Sequence, residues 1–403
     1  MFQEGDRVTL NTTKGVTLTK PLRRNGRTEE PKGYVKHNDI IGNRVREVVH
    51  LHNGRADYRI THPTLEEYVT LTRRLVTPVY ATDASLIVSL LDIHTPAPAN
   101  EPDGEPLEIL EAGTGHGSLT LHLARAINGA NTRSPAIPQA SQLTILDPKD
   151  CTPDTPEATE DEVTKQKDWD AWRAKRNAIL HTVEISPNVS LHAEQIVRGF
   201  RRGIYAGSVD FYVSSAENWI QHQVESRSSK LPPLEKLKPF LSYAILDMPS
   251  VESRIPEVAR VLKPDGVLAV FVPSITQIGD CVKLIRDQKL PFVLSKVVEL
   301  GTGISGGRLW DVRSAVVRAS MKPTTSQGET DAPSSEIEGG STDASLDEAN
   351  STQSNGDNDT IHLKESTGPE PPQSMKHVMV CRPKVGERIV GGGFVGIWRM
   401  GRV

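Results

Sequence analysis

The central part of the chain alternates short apolar runs with stretches in which apolar residues recur every three or four positions. The apolar runs predict strands at Leu107–Ala112, Ile179–Ile185, Val209–Val213, Leu241–Leu246 and Gly266–Val272. The periodic stretches predict helices at Ser118–Ile127, Asn188–Arg202 and Ile255–Leu262. This alternation predicts an α/β fold, a doubly wound parallel sheet with helices on both faces.

Residues 1–62 follow a different pattern. Short alternating runs, such as 6–10 and 15–18, are separated by Gly, Asn and Pro. This pattern predicts a small antiparallel β domain that resembles a barrel. A helix is then expected from Thr64 to Arg74, with Thr64 as its N-cap and two glutamates in its first turn.

Two segments are poor in the residues that build a core. Residues 131–167 contain several prolines and a run of acids, and we predict a flexible insertion loop, followed by a helix from Trp169 to Ala178. Residues 321–376 are rich in Ser, Thr, Asp, Glu, Gly and Pro, which predicts a disordered acidic insertion. We favour a solvated spacer there over a phosphorylation-regulated tail. Apolar patterning returns afterwards, so the α/β domain is predicted to span 63–320 and 377–403.

Composition and charge narrow the class of protein. The chain has 403 residues with a formal net charge of -4, but about eleven acids against three bases fall between residues 319 and 376. The remainder is therefore mildly basic, which agrees with a nucleic-acid partner. No apolar run reaches ~18 residues and no secretory leader is visible, so we expect a soluble intracellular protein without a membrane contact. Three distant cysteines exclude a disulfide scaffold and a Cys-rich zinc site.

A glycine-rich turn joins the predicted strand Leu107–Ala112 to the helix that follows it. Gly113, Gly115 and Gly117 stand at alternate positions, and Glu111 precedes them by two residues. Such glycines permit a tight turn and let a ligand approach the backbone, and the helix N-terminus adds free N–H groups. The spacing differs from that of dinucleotide-binding proteins and is typical of S-adenosylmethionine sites. A glycine-rich turn without a ligand is the less favoured alternative.

Two further acids lie where predicted strands end. Glu184 is at the end of the second strand, where an acid can hold ribose hydroxyls, and Asp247 follows the fourth, where open sheets place their substrates. By position alone, a strand-end carboxylate and a helix cap are equally good interpretations.

Basic residues form two groups, Lys20–Arg27 and Arg198–Arg202, which could contact phosphate or could be solvated surface. The histidines have no metal-type spacing, so no metal is expected.

These motifs together resemble the tRNA (adenine(58)-N(1))-methyltransferase family. The resemblance includes the segments 4–6, 37–42, 62–68, 80–83, 111–119, 183–184 and 246–249. Segments 37–42 (His-Asn-Asp-Ile-Ile-Gly) and 62–68 (His-Pro-Thr-Leu-Glu-Glu-Tyr) are the most specific, because the glycine motif is shared by all class I methyltransferases. Within the family the chain is most similar to the mitochondrial branch, with fungal-like insertions. It departs from the family pattern at Leu75–Thr77, Val189 and Ser250–Val251.

The resemblance implies a class I methyltransferase fold, S-adenosyl-L-methionine as cofactor and methylation of N1 of an adenosine in the T-loop of tRNA. It implies Asp247 as the catalytic residue, which would accept a hydrogen bond from the adenine amino group. The cofactor-binding residues that it implies are Val79, Glu111, Gly113, Thr114, Gly115, His116, Gly117, Ser118, Glu184, Ser215, Ala216 and Asp247. The implied substrate-binding residues are Tyr80, Lys20, Arg23, Arg24 and Arg202. Plain core packing is an equally weighted role for Tyr80.

Partners and compartment are also expectations from the resemblance. It implies tRNA as substrate and a homotetramer, or a heterotetramer with a non-catalytic paralogous subunit. The branch implies the mitochondrion, with the nucleus as the alternative. A class I methyltransferase acting on a protein or small molecule is the second hypothesis. An inactive RNA-binding partner subunit is the third, and it is disfavoured because the glycine motif, Glu184 and Asp247 are all present.

Overall fold

The computed structural model describes residues 1–12, 15–95, 97, 104–146, 159–232, 235–301, 310–316, 377–383 and 392–402. The predicted disordered insertion 321–376 lies outside these residues. The chain divides into two compact units, residues 1–307 with 387–403 and residues 308–386.

The N-terminal part of the first unit is a small antiparallel β domain. Its strands are β1 (Thr9–Thr12), β2 (Gly15–Leu18), β3 (Arg27–Glu30), β4 (Gly33–Lys36), β5 (Val48–His50) and β6 (Asp57–Thr61). The first two and last two form a sheet in the order β2-β1-β6-β5, and β3 pairs with β4 as a hairpin. Inward-facing residues such as Val8, Leu10 and Ile60 form its own core. This confirms the small N-terminal β domain.

Two helices connect this domain to the central sheet, α1 (Leu65–Leu71) and α2 (Ala81–Leu91). Thr64 is the N-cap of α1, as predicted: its hydroxyl accepts from the Glu67 N–H at 3.1 Å, and the Glu67 carboxylate accepts from the Thr64 N–H at 2.8 Å. The helix ends three residues before Arg74, because Thr72 has an extended backbone conformation.

Strands and helices alternate from residue 107 to residue 300, and the described elements after that are strands. The strands are β7 (Leu107–Ala112), β8 (Leu143–Ile145), β9 (Ala178–Glu184), β10 (Val209–Val213), β11 (Leu241–Leu246), β12 (Leu262–Val272), β13 (Phe292–Leu300), β14 (Trp310–Val316), β15 (His377–Pro383) and β16 (Gly393–Met400). The helices are α3 (Ser118–Ile127), α4 (Glu160–Arg173), α5 (Pro187–Gly199), α6 (Ala216–Ser228), α7 (Ile255–Val261) and α8 (Ile275–Asp287). Short 3-10 turns lie at His37–Asp39, Asn128–Ala130, Phe200–Gly203, Ala206–Ser208 and Val251–Arg254.

The central sheet has eight strands in the order β13-β16-β12-β11-β7-β9-β10-β8. Neighbouring side chains on one strand enter opposite cores: Ile109 and Ile245 lie in one core, Leu110 and Leu246 in the other. Helices cover both faces, so the doubly wound α/β class is confirmed. The expectation of a parallel sheet was wrong at one strand, because β16 runs antiparallel to both β12 and β13. Strand β16 lies between β12 and β13, which run parallel to each other. A local apolar pattern predicts a strand but does not indicate its direction.

The segment 131–167 was expected to be one loop, and this was also wrong in part. Residues Leu143–Ile145 form the edge strand β8, which pairs in parallel with β10. Helix α4 begins at Glu160 and ends at Arg173, earlier than the predicted Trp169–Ala178. Thr159 caps this helix, and three acids occupy its first turn, where they favour a helix N-terminus. The sequence pattern alone places those acids in the predicted loop 131–167.

The N-terminal domain is fastened to the α/β part by the turn after α5. Arg201 and Arg202 have φ angles of 45° and 59°, which are costly for residues with a side chain. The Arg202 guanidinium makes two 2.6 Å bonds to the buried carboxylate of Asp6, and Arg201 donates to the Pro63 carbonyl. Burial alone would raise the pKa of Asp6, but the hydrogen bonds from Arg202 and the Gln3 N–H and the nearby positive charges together outweigh burial, so the pKa is lowered.

The second compact unit contains one described element pair. Strands β14 and β15 pair antiparallel, from Trp310 opposite Pro383 to Val316 opposite His377.

Candidate active site

The candidate site lies at the carboxyl ends of β7, β9 and β11. Hydrogen bonds between the strand ends hold it together: the Gly113 N–H donates to the Val183 carbonyl at 2.9 Å, and the Asp247 N–H donates to the Ala112 carbonyl at 2.8 Å. The glycine turn, Glu184 and Asp247 therefore meet at one edge of the sheet. This is the arrangement that their positions after separate strands predicted.

Two of the glycines are required for different reasons. A Cβ added at Gly113 would lie 1.9 Å from the Asp247 carbonyl oxygen, so only glycine permits this close approach. Gly115 has a φ of +53°, and a Cβ there would meet only a Val76 methyl group, at 3.7 Å. The Val76 methyl group is therefore the one described atom within 4 Å of that position, so the Gly115 backbone is little crowded there.

Glu184 and Asp247 give this edge a negative charge. The Glu184 carboxylate accepts from the N–H groups of Gly115 and Ser186, each at 3.2 Å. Burial raises the pKa of Asp247 to about 7, and the charge of Glu184 adds to this effect. A cationic ligand would relieve the repulsion between the two carboxylates.

Glu111 lies beneath the turn and not on its open side. Its side chain is fully buried, and one carboxylate oxygen accepts from the hydroxyls of Thr120 and Thr182, at 2.7 and 2.8 Å. The Thr114 hydroxyl lies 2.7 Å from that of Thr182. Burial raises the pKa of Glu111 to about 8, and its second oxygen has no partner. In this conformation it supports the glycine turn through the threonines, so direct contact with a cofactor stays a prediction.

The end of the turn contacts the loop between α1 and α2. The Ser118 hydroxyl donates to the Val79 carbonyl at 2.5 Å. His116 is buried, and its Nε2 lies 3.1 Å from the Thr72 hydroxyl. Burial lowers the pKa of His116 to about 4, so the ring is neutral at pH 7. The structure thus brings the predicted residues Val79, His116 and Ser118 together in one wall of the site.

Other residues of this edge come from β9 and β10. Ser215 caps α6, and the preceding Ser214 donates its N–H to the Glu184 carbonyl at 3.0 Å. This places the predicted Ser215 and Ala216 next to the second strand end. Sequence reasoning missed Ile185, which follows Glu184 and is 69% exposed. A large apolar residue directly after a strand-end acid was the available signal, since it can cover an apolar face of a ligand.

The predicted substrate-binding residues are in two places. Tyr80 is half-buried at the N-cap of α2, with the Arg74 guanidinium 5.5 Å from its ring centre. Lys20, Arg23 and Arg24 are exposed on the N-terminal domain. Arg202 is bound to the Asp6 carboxylate, as described above, so a phosphate would compete with that ion pair. These substrate contacts stay predictions.

The residues at the open edge fit S-adenosylmethionine. Its ammonium and sulfonium groups suit the charges of Glu184 and Asp247, and its hydroxyls suit the Glu184 oxygens. The free side of Gly115 provides bare backbone for it. Within the part of the chain that the structure describes, no three His, Cys, Asp or Glu side chains are grouped as a metal site would need. None of the helices described is long and apolar enough to cross a membrane.

Comparisons with known proteins support the resemblance. A family model described as TrmI-like N-terminal matches residues 1–49. The tRNA (adenine(58)-N(1))-methyltransferase TrmI of Thermus thermophilus is 27% identical over 285 residues, which are 71% of this chain and 79% of that protein.

Two solved structures have the same overall fold. A SAM-dependent O-methyltransferase from Thermotoga maritima has a TM-score of 0.55 and 14% identity, covering 100% of this chain and 95% of that one. A tRNA methyltransferase TrmI from Aquifex aeolicus has a TM-score of 0.50 and 12% identity, covering 100% and 99%. These findings confirm the class I methyltransferase fold and show that the chain is similar in sequence to a tRNA (adenine(58)-N(1))-methyltransferase.

Proposed function

We propose that the chain transfers a methyl group from S-adenosyl-L-methionine to N1 of an adenosine in the T-loop of tRNA. The observation that supports this most directly is the contact of Asp247 with the glycine turn. Because the Asp247 backbone packs against Gly113, a ligand bound on that turn lies beside the Asp247 carboxylate. The similarity to TrmI supports the choice of tRNA as substrate.

Methyl transfer to adenine N1 requires correct positioning of the base and the cofactor more than it requires a strong base. S-adenosylmethionine, when bound, supplies an electrophilic methyl group. Adenine N1 has a lone pair, so no proton has to be removed before attack. Asp247 accepts a hydrogen bond from the N6 amino group of the base, which orients N1 and stabilises the positive charge that develops on the ring. When S-adenosylmethionine is bound, Glu184 would hold its ribose hydroxyls and the Gly115 backbone would contact it.

The target base has to reach this edge from a folded RNA. Turning a stacked nucleotide out of the stack costs a few kcal/mol. Tyr80 lies on the same loop as Val79 and is half-buried, so its ring is suited to stack against the base that is turned out. The exposed Lys20, Arg23 and Arg24 would contact phosphates farther along the tRNA.

The test is methyl transfer by the purified chain alone. Unmodified tRNA transcripts are incubated with radiolabelled S-adenosylmethionine and digested to nucleosides. We expect N1-methyladenosine from the wild type and at least a hundredfold less from Asp247→Asn, which keeps the shape of the side chain but loses the charge. Cofactor binding by calorimetry should weaken far less than methyl transfer in that variant, because Glu184 keeps its charge.

Other products would favour the other hypotheses. Label in protein or in a small molecule, with none in tRNA, would favour a different methyltransferase substrate. Calorimetry without any cofactor binding would favour an inactive partner subunit.

We also propose a homotetramer, or a heterotetramer with a paralogous subunit, and a mitochondrial location with the nucleus as the alternative. Light scattering of the purified chain and fractionation of cells test these two points.

A further inference from the structure

A groove lies between the loop that follows α1 and the exposed side of α5. It measures about 440 Å³ and is lined by Arg73, Leu75, Asn188, Leu191, His192 and Gln195. The last four recur at intervals of three or four residues along α5, so they share one side of the helix. Its apolar members are unusually accessible, since Leu75 is 49% exposed and Leu191 is 38% exposed. The groove therefore offers apolar and polar surface together.

One rim of the groove has a positive charge that the fold does not use. Arg73 and Arg74 are adjacent and exposed. Arg74 donates to the Thr70 carbonyl at 3.3 Å and lies over the Tyr80 ring. Among the described residues, by contrast, the Arg73 guanidinium has no carboxylate or hydrogen-bond partner. A free guanidinium beside exposed leucines is suited to a ligand with both a phosphate and an apolar face.

The groove adjoins the candidate active site through two contacts. His192 donates from Nε2 to the Arg73 carbonyl at 2.9 Å, and its ring centre is 5.6 Å from that of His116 in the glycine turn. On the other side of the loop, Val76 faces the open side of Gly115. The same short loop thus forms a wall of the candidate cofactor site and a wall of the groove.

The charges on the two sides of this loop are opposite. Glu184 and Asp247 make the inner side negative, which attracts a cationic cofactor and repels phosphate. Arg73 and Arg74 make the outer side positive, which attracts phosphate. Phosphates of a bound nucleic acid are therefore directed to the outer rim, while an uncharged base can pass to the inner side.

We infer that this groove binds the RNA strand next to the target nucleotide, with Arg73 on a phosphate and Leu75 and Leu191 against a neighbouring sugar or base. The inference rests on the proposed function and adds to it the surface that holds the strand. An unstacked nucleotide has both an apolar face and an anionic phosphate, and single-stranded RNA is recognised by such mixed surfaces.

The experiment measures binding of a fluorescently labelled, unmodified tRNA transcript by anisotropy at several salt concentrations. The variants are Arg73→Gln, Leu191→Gln and a matched control, Arg286→Gln. Arg286 is also an exposed arginine, it lies on α8, and its ion pair is with the neighbouring Asp287 at 3.8 Å. All three sites are on the surface, and thermal melting checks that each variant is folded. Calorimetry measures S-adenosylmethionine binding, and methyl transfer is measured in parallel.

We expect Arg73→Gln to weaken tRNA binding about five- to tenfold. It should also reduce the slope of log K against log salt by about 0.7 to 1, the loss of one phosphate contact. Leu191→Gln should weaken binding without changing that slope, because it removes an uncharged contact. Arg286→Gln should resemble the wild type, and cofactor affinity should be unchanged in all three.

Several results would overturn the inference while leaving the proposed function intact. One is that Arg73→Gln binds tRNA with the affinity and the salt slope of the wild type, while N1-methyladenosine is still formed. Another is an equal loss in Arg73→Gln and Arg286→Gln, which would indicate non-specific attraction. A changed oligomeric mass in the groove variants with unchanged tRNA affinity would assign the groove to a protein contact. A wild type that neither binds nor methylates tRNA would remove the proposed function, and the inference with it.

Discussion

The pKa of Asp247 makes a quantitative prediction for the pH dependence of methyl transfer. The role assigned to this side chain requires the ionised form, which accepts a hydrogen bond from the adenine amino group. Burial and the nearby Glu184 charge raise its pKa from 3.8 to about 7. With a pKa near 7, about half of the free enzyme is ionised at pH 7 and about one tenth at pH 6. The rate should therefore fall roughly fivefold between pH 7 and pH 6.

The assay measures initial rates between pH 5.5 and pH 9 with both substrates well below their KM values, so that the profile reports the free enzyme. Glu184→Gln supplies the perturbation. Glutamine can still accept the Gly115 N–H but has no charge, so the pKa of Asp247 should fall and the inflection should move to lower pH. The matched control is Glu225→Gln, which changes an exposed acid on α6 and should leave the inflection in place.

Two outcomes would refute this reasoning. A flat profile between pH 6 and pH 8 in the wild type would show that Asp247 has an ordinary pKa or that its charge is not needed. An inflection that stays at the same pH in Glu184→Gln would show that the two carboxylates do not interact. Loss of cofactor affinity in Glu184→Gln changes only the height of the profile, so it does not obscure the test.

Three further predictions concern stability and cofactor binding. Gly115→Trp should abolish the binding of S-adenosylmethionine measured by calorimetry, because the indole fills the open side of the turn. The circular dichroism spectrum should stay that of a folded protein. Retained binding would show that the cofactor does not contact this backbone. Asp6→Asn should lower the free energy of unfolding by about 1–3 kcal/mol at pH 7 by breaking the bond to Arg202. Because the pKa of Asp6 is lowered in the folded state, this difference should shrink as the pH falls below about 4, and a difference independent of pH would contradict it. Asp247→Asn should be inactive, yet it should raise the melting temperature more at pH 8 than at pH 5. The pKa of Asp247 is raised in the folded state, so the wild-type protein loses stability as the pH rises from 3.8 to about 7, and the variant does not. An equal change of melting temperature at both pH values would count against the raised pKa.

Much of the fold could be predicted from local pattern. Strands Leu107–Ala112, Val209–Val213 and Leu241–Leu246 and helix Ser118–Ile127 have the predicted bounds. These elements could be predicted because a buried parallel strand is a short apolar run, and because apolar residues recur every three to four positions in a helix with one buried side. The alternate glycines also identified the turn, since their conformational freedom is a property of the residue type.

Other features depend on contacts between residues distant in sequence. The antiparallel position of β16 depends on the gap between β12 and β13, and β8 forms only because β10 offers a free edge. Arg202 was expected to contact substrate, but it is bound to Asp6, 196 residues away in sequence.

The active site shows the same division between sequence and tertiary structure. The sequence by itself determined which acids follow which strands, and hence that Glu184 and Asp247 share one edge of the sheet. Only the tertiary structure decided that Glu111 is enclosed beneath the turn, that Ile185 is exposed beside it and that the pKa of Asp247 is near 7. These properties depend on burial and on distances between charges, which are set when separate strands and loops pack together.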